Sequence, residues 1–99
     1  MSIKDYAKKM AGEKKIDVFM FTLSTCAWCM KTKKLLKELG VEYSYIDVDL
    51  LDEESLKEVN KEFDRWNPKR SFPTIVLNHK KSIIGFQEDE IRKFAENGK

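Results

Sequence analysis

An unbroken apolar run, Ile16-Asp17-Val18-Phe19-Met20-Phe21-Thr22, leaves few folds open to this chain. Strand residues alternate between faces, so Val18 to Phe21 would leave half their apolar side chains in water unless both faces were covered; the run reads as an inner strand with helices on either side. Leu23-Ser24-Thr25 follows as loop and cap chemistry, and then comes a segment in which Lys-rich positions alternate with Met30, Leu35, Leu36 and Leu39 as far as Gly40. That spacing predicts a helix over about residues 27–39.

Val41 to Asp49 reads as a second strand, with Val41, Tyr43, Tyr45 and, after a shift, Ile46 and Val48 as its apolar members. Asp52 is expected to cap a second helix, with Glu53 and Glu54 at its positive end and a Leu56, Val59, Phe63 stripe that stops near Asn67-Pro68. Pro73 to Asn78 and Lys81 to Ile84 flank a polar turn at His79-Lys80, the pattern of a hairpin. A last helix starts after Gly85-Phe86 with the acidic turn Glu88-Asp89-Glu90, buries Ile91, Phe94 and Ala95, and ends at Asn97-Gly98. At the N-terminus, Ile3, Tyr6, Ala7 and Met10 recur at helical spacing with Gly12 as a stop, which predicts a helix over 3–12. The order α, β, α, β, α, β, β, α gives an α/β fold: a four-stranded mixed sheet flanked by helices, with residues 1–13 as an extra N-terminal helical extension.

The 99 residues suffice for a single domain over 1–99 and are too few for a two-domain enzyme. At 41% hydrophobic with Gly 4 and Pro 2, the composition excludes a disordered or collagen-like chain. No apolar run approaches the roughly 20 residues that cross a bilayer, and Met1 to Tyr6 lacks the apolar core of a signal peptide, so a cytoplasmic protein without a membrane partner is expected. Lys+Arg 19 against Asp+Glu 17 leaves +2, which gives no ground for a nucleic-acid partner.

The chemistry lies in Cys26 and Cys29, placed where the inner strand passes into its helix. Unsatisfied N–H groups and the helix dipole stabilise a thiolate at the entrance, so Cys26 is the expected nucleophile. Cys29 shares the core-facing stripe with Leu36, near Thr32 and Leu39, and is the expected resolving thiol. Attack by Cys26 on a target disulfide gives a mixed disulfide, which Cys29 resolves to leave a Cys26–Cys29 disulfide. Half of a zinc site is the other use of this spacing, but no second cysteine pair exists and His79 is the only histidine, so no bound metal is expected.

The stretch Phe21 to Cys29, then Ser71-Phe72-Pro73-Thr74, then Gly85-Phe86 resembles the glutaredoxin family, with its thioredoxin-like fold, over nearly the whole chain. The resemblance implies a thiol–disulfide oxidoreductase in which Pro73 is cis and lies beside the cysteines, leaving the backbone of Phe72 free to pair with an extended substrate. Thr25, Trp28, Ser71, Phe72, Pro73, Gly85 and Phe86 are thereby the expected substrate-binding residues. Trp28 either covers a docked peptide or packs at the rim, and Phe86 either touches substrate or packs; Trp66, beside Asn67-Pro68, is expected as a core or loop anchor. Lys33 falls where the family often has a lysine that helps hold the thiolate charge. Lys31, Lys33, Lys34 and Lys37, with Lys69 and Arg70, either steer an acidic partner or form a solvated face.

Members of the family that use glutathione carry a basic side chain before the first cysteine and a glycine pair before the last helix. Here Thr22, Ser24 and Thr25 occupy the first place and Ile84-Gly85 the second. Gly85-Phe86-Gln87-Glu88-Asp89-Glu90-Ile91 instead resembles the segment of glutaredoxin-like redoxins that serve ribonucleotide reductase and are reduced by thioredoxin reductase, with Glu88 in place of their usual proline. The expectation is a monomer that binds no cofactor, reduces protein disulfides and draws electrons from NADPH through such a reductase. Glutathione-driven chemistry is the alternative. An iron–sulfur cluster held by Cys26 from two subunits and external thiols, or a redox-inert interaction module, are readings of other classes.

Overall fold

The apolar run forms the middle of a sheet because its neighbours on both sides present paired backbone. In the computed structural model, which describes residues 3–97, the elements are β1 (Lys8–Met10), β2 (Val18–Thr22), α1 (Ala27–Glu38), β3 (Tyr43–Asp47), α2 (Glu53–Trp66), β4 (Thr74–Leu77), β5 (Lys81–Ile84) and α3 (Glu88–Asn97). Short 3-10 turns at Ile3–Tyr6 and Val48–Leu50 complete them. The sheet order is β1-β3-β2-β4-β5. β2 runs parallel to β3 and antiparallel to β4, with Phe21 opposite both Ile46 and Thr74, and β4 pairs antiparallel with β5.

All five residues of β2 are buried. Val18 and Met20 face a cluster with Leu35 and Leu36 of α1 and Ile91 and Ala95 of α3. Phe19 and Phe21 face the opposite cluster, with Val59 and Phe63 of α2. Phe21 stacks on Phe63 at 4.4 Å with nearly parallel rings, and Phe63 meets the edge of Phe72 at 5.3 Å. This aromatic series runs from the central strand to the residue before Pro73. α2 starts as its sequence predicts: the Asp52 carboxylate accepts from the Ser55 N–H at 2.7 Å, and the bond holds the carboxyl below its usual range.

The N-terminal segment departs from expectation. In place of a helix over 3–12, only Ile3–Tyr6 makes a 3-10 turn, and Lys8–Met10 adds β1 to β3, pairing Lys8 with Tyr45 and Met10 with Tyr43. The sheet therefore has five strands, not four. A helix this short is marginal alone, whereas the exposed edge of β3 offers hydrogen bonds to any extended segment beside it. Tyr6 and Ala7 do pack against the Phe63 cluster, but Met10 stays 41% exposed, so the spacing reflects one contact and not a helical face. Gly12 ends no helix. A Cβ there would lie 2.6 Å from the backbone of Val41 and Glu42, so glycine admits a close crossing of two chain segments.

Other boundaries move slightly. The hairpin turns at Asn78 and His79, which adopt φ of 52° and 56°, so Asn78 belongs to the turn and not the strand. Gly98, expected as the stop of the last helix, lies outside the described residues, as do Met1 and Ser2. No helix among the described residues is long and apolar enough to cross a membrane.

Candidate active site

β2 ends at Thr22, and the chain reaches α1 through a tight turn closed by the Cys26 N–H, which donates to the Leu23 carbonyl at 3.2 Å. The N-cap of α1 is Cys26 itself. Its backbone is extended, its carbonyl accepts from the Met30 N–H at 3.1 Å, and its Sγ accepts from the Cys29 N–H at 3.1 Å. The sulfur thus takes the place an Asp or Ser oxygen usually fills, satisfying a helix N–H that would otherwise lack a partner. Ser24 and Thr25, expected to supply cap chemistry, do not cap: Ser24 turns to Asp49, and Thr25 is exposed.

Cys26 is half-buried and Cys29 completely buried. Burial first, then a hydrogen bond to Cys26, pushes the Cys29 thiol from its ordinary 9.0 up to about 12, against the opposing pull of the Leu23 backbone and the Lys33 charge. The two thiols therefore differ in access, one open to a partner and one shielded. Thr32 and Leu36 are fully buried with Cys29 and Leu39 partly so, matching the predicted stripe.

Polar clasps fix the loop that carries the thiols. The Thr22 hydroxyl donates to Asp47 Oδ1 at 2.6 Å and reaches the Ile46 carbonyl at 3.1 Å. The Ser24 N–H donates to Asp49 at 2.8 Å, and the Ser24 hydroxyl binds the other oxygen of the same carboxylate, lowering its pKa. Both acids lie at or just beyond the end of β3, so the strand that runs parallel to β2 also holds the turn after it. Lys33 joins this set: its Nζ is 3.3 Å from Asp47 and 3.8 Å above the Tyr45 ring. The lysine expected to hold the Cys26 charge is committed to Asp47 and acts on Cys29 only through its field.

The second wall is the segment before β4. The Phe72–Pro73 bond is cis, as the resemblance implied, and Pro73 is buried while Phe72 is half-buried. The Gly85 N–H donates to the Pro73 carbonyl at 2.8 Å, and Gly85 adopts φ of 82°. Phe86, next along, stacks on Trp28 at 5.7 Å, so the loop before α3 joins Pro73 to the first turn of α1. Trp28 is 54% exposed and Phe86 half-buried; the two expected site aromatics form one unit at the rim. Ser71 serves the loop from behind, its carbonyl accepting from the Thr74 hydroxyl at 2.9 Å and its hydroxyl from Asn67 at 2.9 Å. Trp66 packs against the Phe63 cluster, and its carbonyl accepts from Ser82.

Asn67, Asp47 and Asp49 support the site and were not singled out from sequence. Asn67 beside Pro68 read only as a helix stop, yet its side chain is buried and ties Ser71 to Thr74. Asp47 had one available signal: it is an acid among the apolar residues of a strand. Among the described residues no three His, Cys, Asp or Glu side chains cluster as a metal site.

A strand-turn-helix carrying two unequal thiols, a cis proline at the head of the adjoining strand and helices on both sheet faces define a thioredoxin-like dithiol redox protein. The glutaredoxin family model matches residues 18–81, and the chain belongs to that family as a glutaredoxin-like thiol–disulfide oxidoreductase. It is 48% identical to methanoredoxin of Methanosarcina acetivorans, with a TM-score of 0.81 over 87% of this chain and 92% of that one. A glutaredoxin of Methanosarcina mazei is 45% identical, with a TM-score of 0.77 over 92% and 88% of the two chains. An uncharacterized glutaredoxin-like 8.6 kDa protein in the rubredoxin operon of Clostridium pasteurianum is 32% identical over 78% of this chain and 95% of its own length.

Proposed function

We propose that the protein reduces disulfides of other proteins in the cytoplasm, as a monomer, with Cys26 attacking and Cys29 resolving. The observation that carries this reading is the inequality of the thiols: Cys26 half-open at the helix N-cap, Cys29 buried one turn behind it. The Cys26 thiolate attacks one sulfur of the target disulfide, forming a mixed disulfide while the other sulfur leaves as a thiolate and takes a proton. Cys29 then loses its proton and attacks Cys26 Sγ, releasing the second target thiol. The target gains two electrons and two protons, and the protein is left with a Cys26–Cys29 disulfide. Trp28, Phe86 and the Phe72–Pro73 backbone flank the approach to Cys26 and hold the extended target segment.

The reductant that restores the dithiol is a thioredoxin-reductase-type enzyme drawing on NADPH. Supporting this are the Gly85 to Ile91 segment and the engagement of Thr22 and Ser24 with Asp47 and Asp49, where glutathione-dependent relatives place a basic side chain. Ribonucleotide reductase is a target consistent with that segment. The test is NADPH oxidation with a model protein disulfide, run in parallel with thioredoxin reductase or with glutathione plus glutathione reductase. Turnover is expected with the first and lost in Cys26→Ser; turnover only with the second assigns the donor to glutathione. A Cys26→Ser protein that remains active while Cys29→Ser is dead reverses the roles.

A further inference from the structure

The basic residues near the site are not equivalent. Lys33 is held by Asp47, and Arg70 is locked onto Asp64 at 2.7 Å. Lys31 and Lys34 instead line a groove of about 270 Å³ between α1 and the start of α3, whose walls include Glu38, Phe86, Glu88 and Arg92. One end of the groove adjoins the aromatic rim of the thiol site, because Phe86 in its wall stacks on Trp28 at 5.7 Å and the Lys31 ammonium lies 4.5 Å over the Trp28 ring.

Its charge is unevenly placed. Glu88 and Arg92 neutralise each other at 2.8 Å, and among the described residues neither Lys31 nor Lys34 is ion-paired. Along the axis of α1, Lys31 and Lys34 stand about 7.5 and about 12 Å beyond Cys26, and Glu38 about 18 Å, at the helical rise per residue. The near part of the groove is therefore positive and the acid sits at its far end. On the other flank of the thiol loop, the β3 side, the Asp49 carboxylate is engaged by the N–H and hydroxyl of Ser24.

We propose that this groove reads the sequence beside the attacked disulfide and selects protein segments with Asp or Glu two to four residues from the target cysteine. The proposal rests on Cys26 being the attacking thiol. An extended segment advances about 3.3 Å per residue, so two to four residues span the distance from Cys26 to Lys31 and Lys34. An apolar residue nearer the cysteine covers the Trp28–Phe86 pair, and the acid beyond it meets the two ammonium groups. Exposed charge pairs contribute modestly to affinity and more to encounter rate and to rejection of basic partners.

The test is a single turnover of pre-reduced protein, independent of any reductase, on two disulfide peptides that differ only in carrying Glu or Gln two to four residues outside each cysteine. The Glu peptide should be reduced about threefold to tenfold faster at low salt, with the ratio shrinking as salt rises. In Lys31→Gln/Lys34→Gln the ratio should fall to about one, and in Lys31→Glu/Lys34→Glu it should invert, as expected for a charge-selective groove. Equal wild-type rates, or a ratio unmoved by either double variant, overturns the groove while leaving the oxidoreductase intact. Failure to reduce either peptide brings down both readings.

Discussion

Replacing Asn67 with alanine should loosen the wall of the site that carries Pro73. Asn67 is 2% exposed, and its Nδ2 donates to Ser71 Oγ at 2.9 Å and Thr74 Oγ1 at 3.0 Å, while its Oδ1 accepts from the Lys69 N–H at 3.1 Å. The 3.4 Å contact to the Ser71 carbonyl is too long to count. Each good bond is worth about 0.5 to 1.5 kcal/mol net. Ser71 and Lys69 are exposed and recover a water partner, and the Thr74 hydroxyl keeps the Ser71 carbonyl as acceptor, so the sum is discounted. The expected cost of Asn67→Ala is about 2 kcal/mol, which in urea lowers the unfolding midpoint by about 1 M. Because Ser71 and Thr74 bracket Phe72 and Pro73, KM for a protein disulfide should rise more than kcat falls. A loss under about 0.5 kcal/mol with unchanged KM refutes the reasoning, since the buried amide would then hold nothing that water cannot.

The buried thiol makes stability depend on pH. Cys29 keeps its proton in the folded state up to about 12 while the unfolded thiol loses it near 9.0. Its contribution is complete below the unfolded value and declines as pH rises toward the folded one, with a slope of about 1.4 kcal/mol per pH unit above pH 9. Reduced wild-type protein should therefore lose stability faster between pH 9 and 10.5 than reduced Cys29→Ser; parallel slopes by chemical denaturation would sink the assignment. Gly12→Ala should cost about 1 to 3 kcal/mol through the forced contact with the Gly40 to Glu42 backbone. Its amide exchange should accelerate at Lys8 to Met10 before the core; a stabilised protein would show that the crossing relaxes.

Much of the fold was legible because it is locally encoded. The β2 run had to be an inner strand, and both its apolar faces are in fact covered. The Asp52 cap and the stripe of α2 follow from spacing that any helix must satisfy. The place of Cys29 on the core stripe of α1 followed from helical geometry in the same way.

What only the tertiary structure decided involves partners that no local sequence pattern pairs. Residues 8–10 form a strand because β3 presents an open edge, a fact absent from their own side chains. Asn67 and Asp47 owe their roles to Thr74, Thr22 and Lys33, which the sheet and helices bring to them. The sequence by itself determined that two thiols stand at the start of a helix behind a buried strand, since that depends on periodicity and helix polarity over a few turns. Which lysine pairs with Asp47 and which faces the groove, and which hydroxyls hold the thiol loop, depend on contacts between separate elements that the sheet and helices bring together. Local propensity carries no term for those contacts.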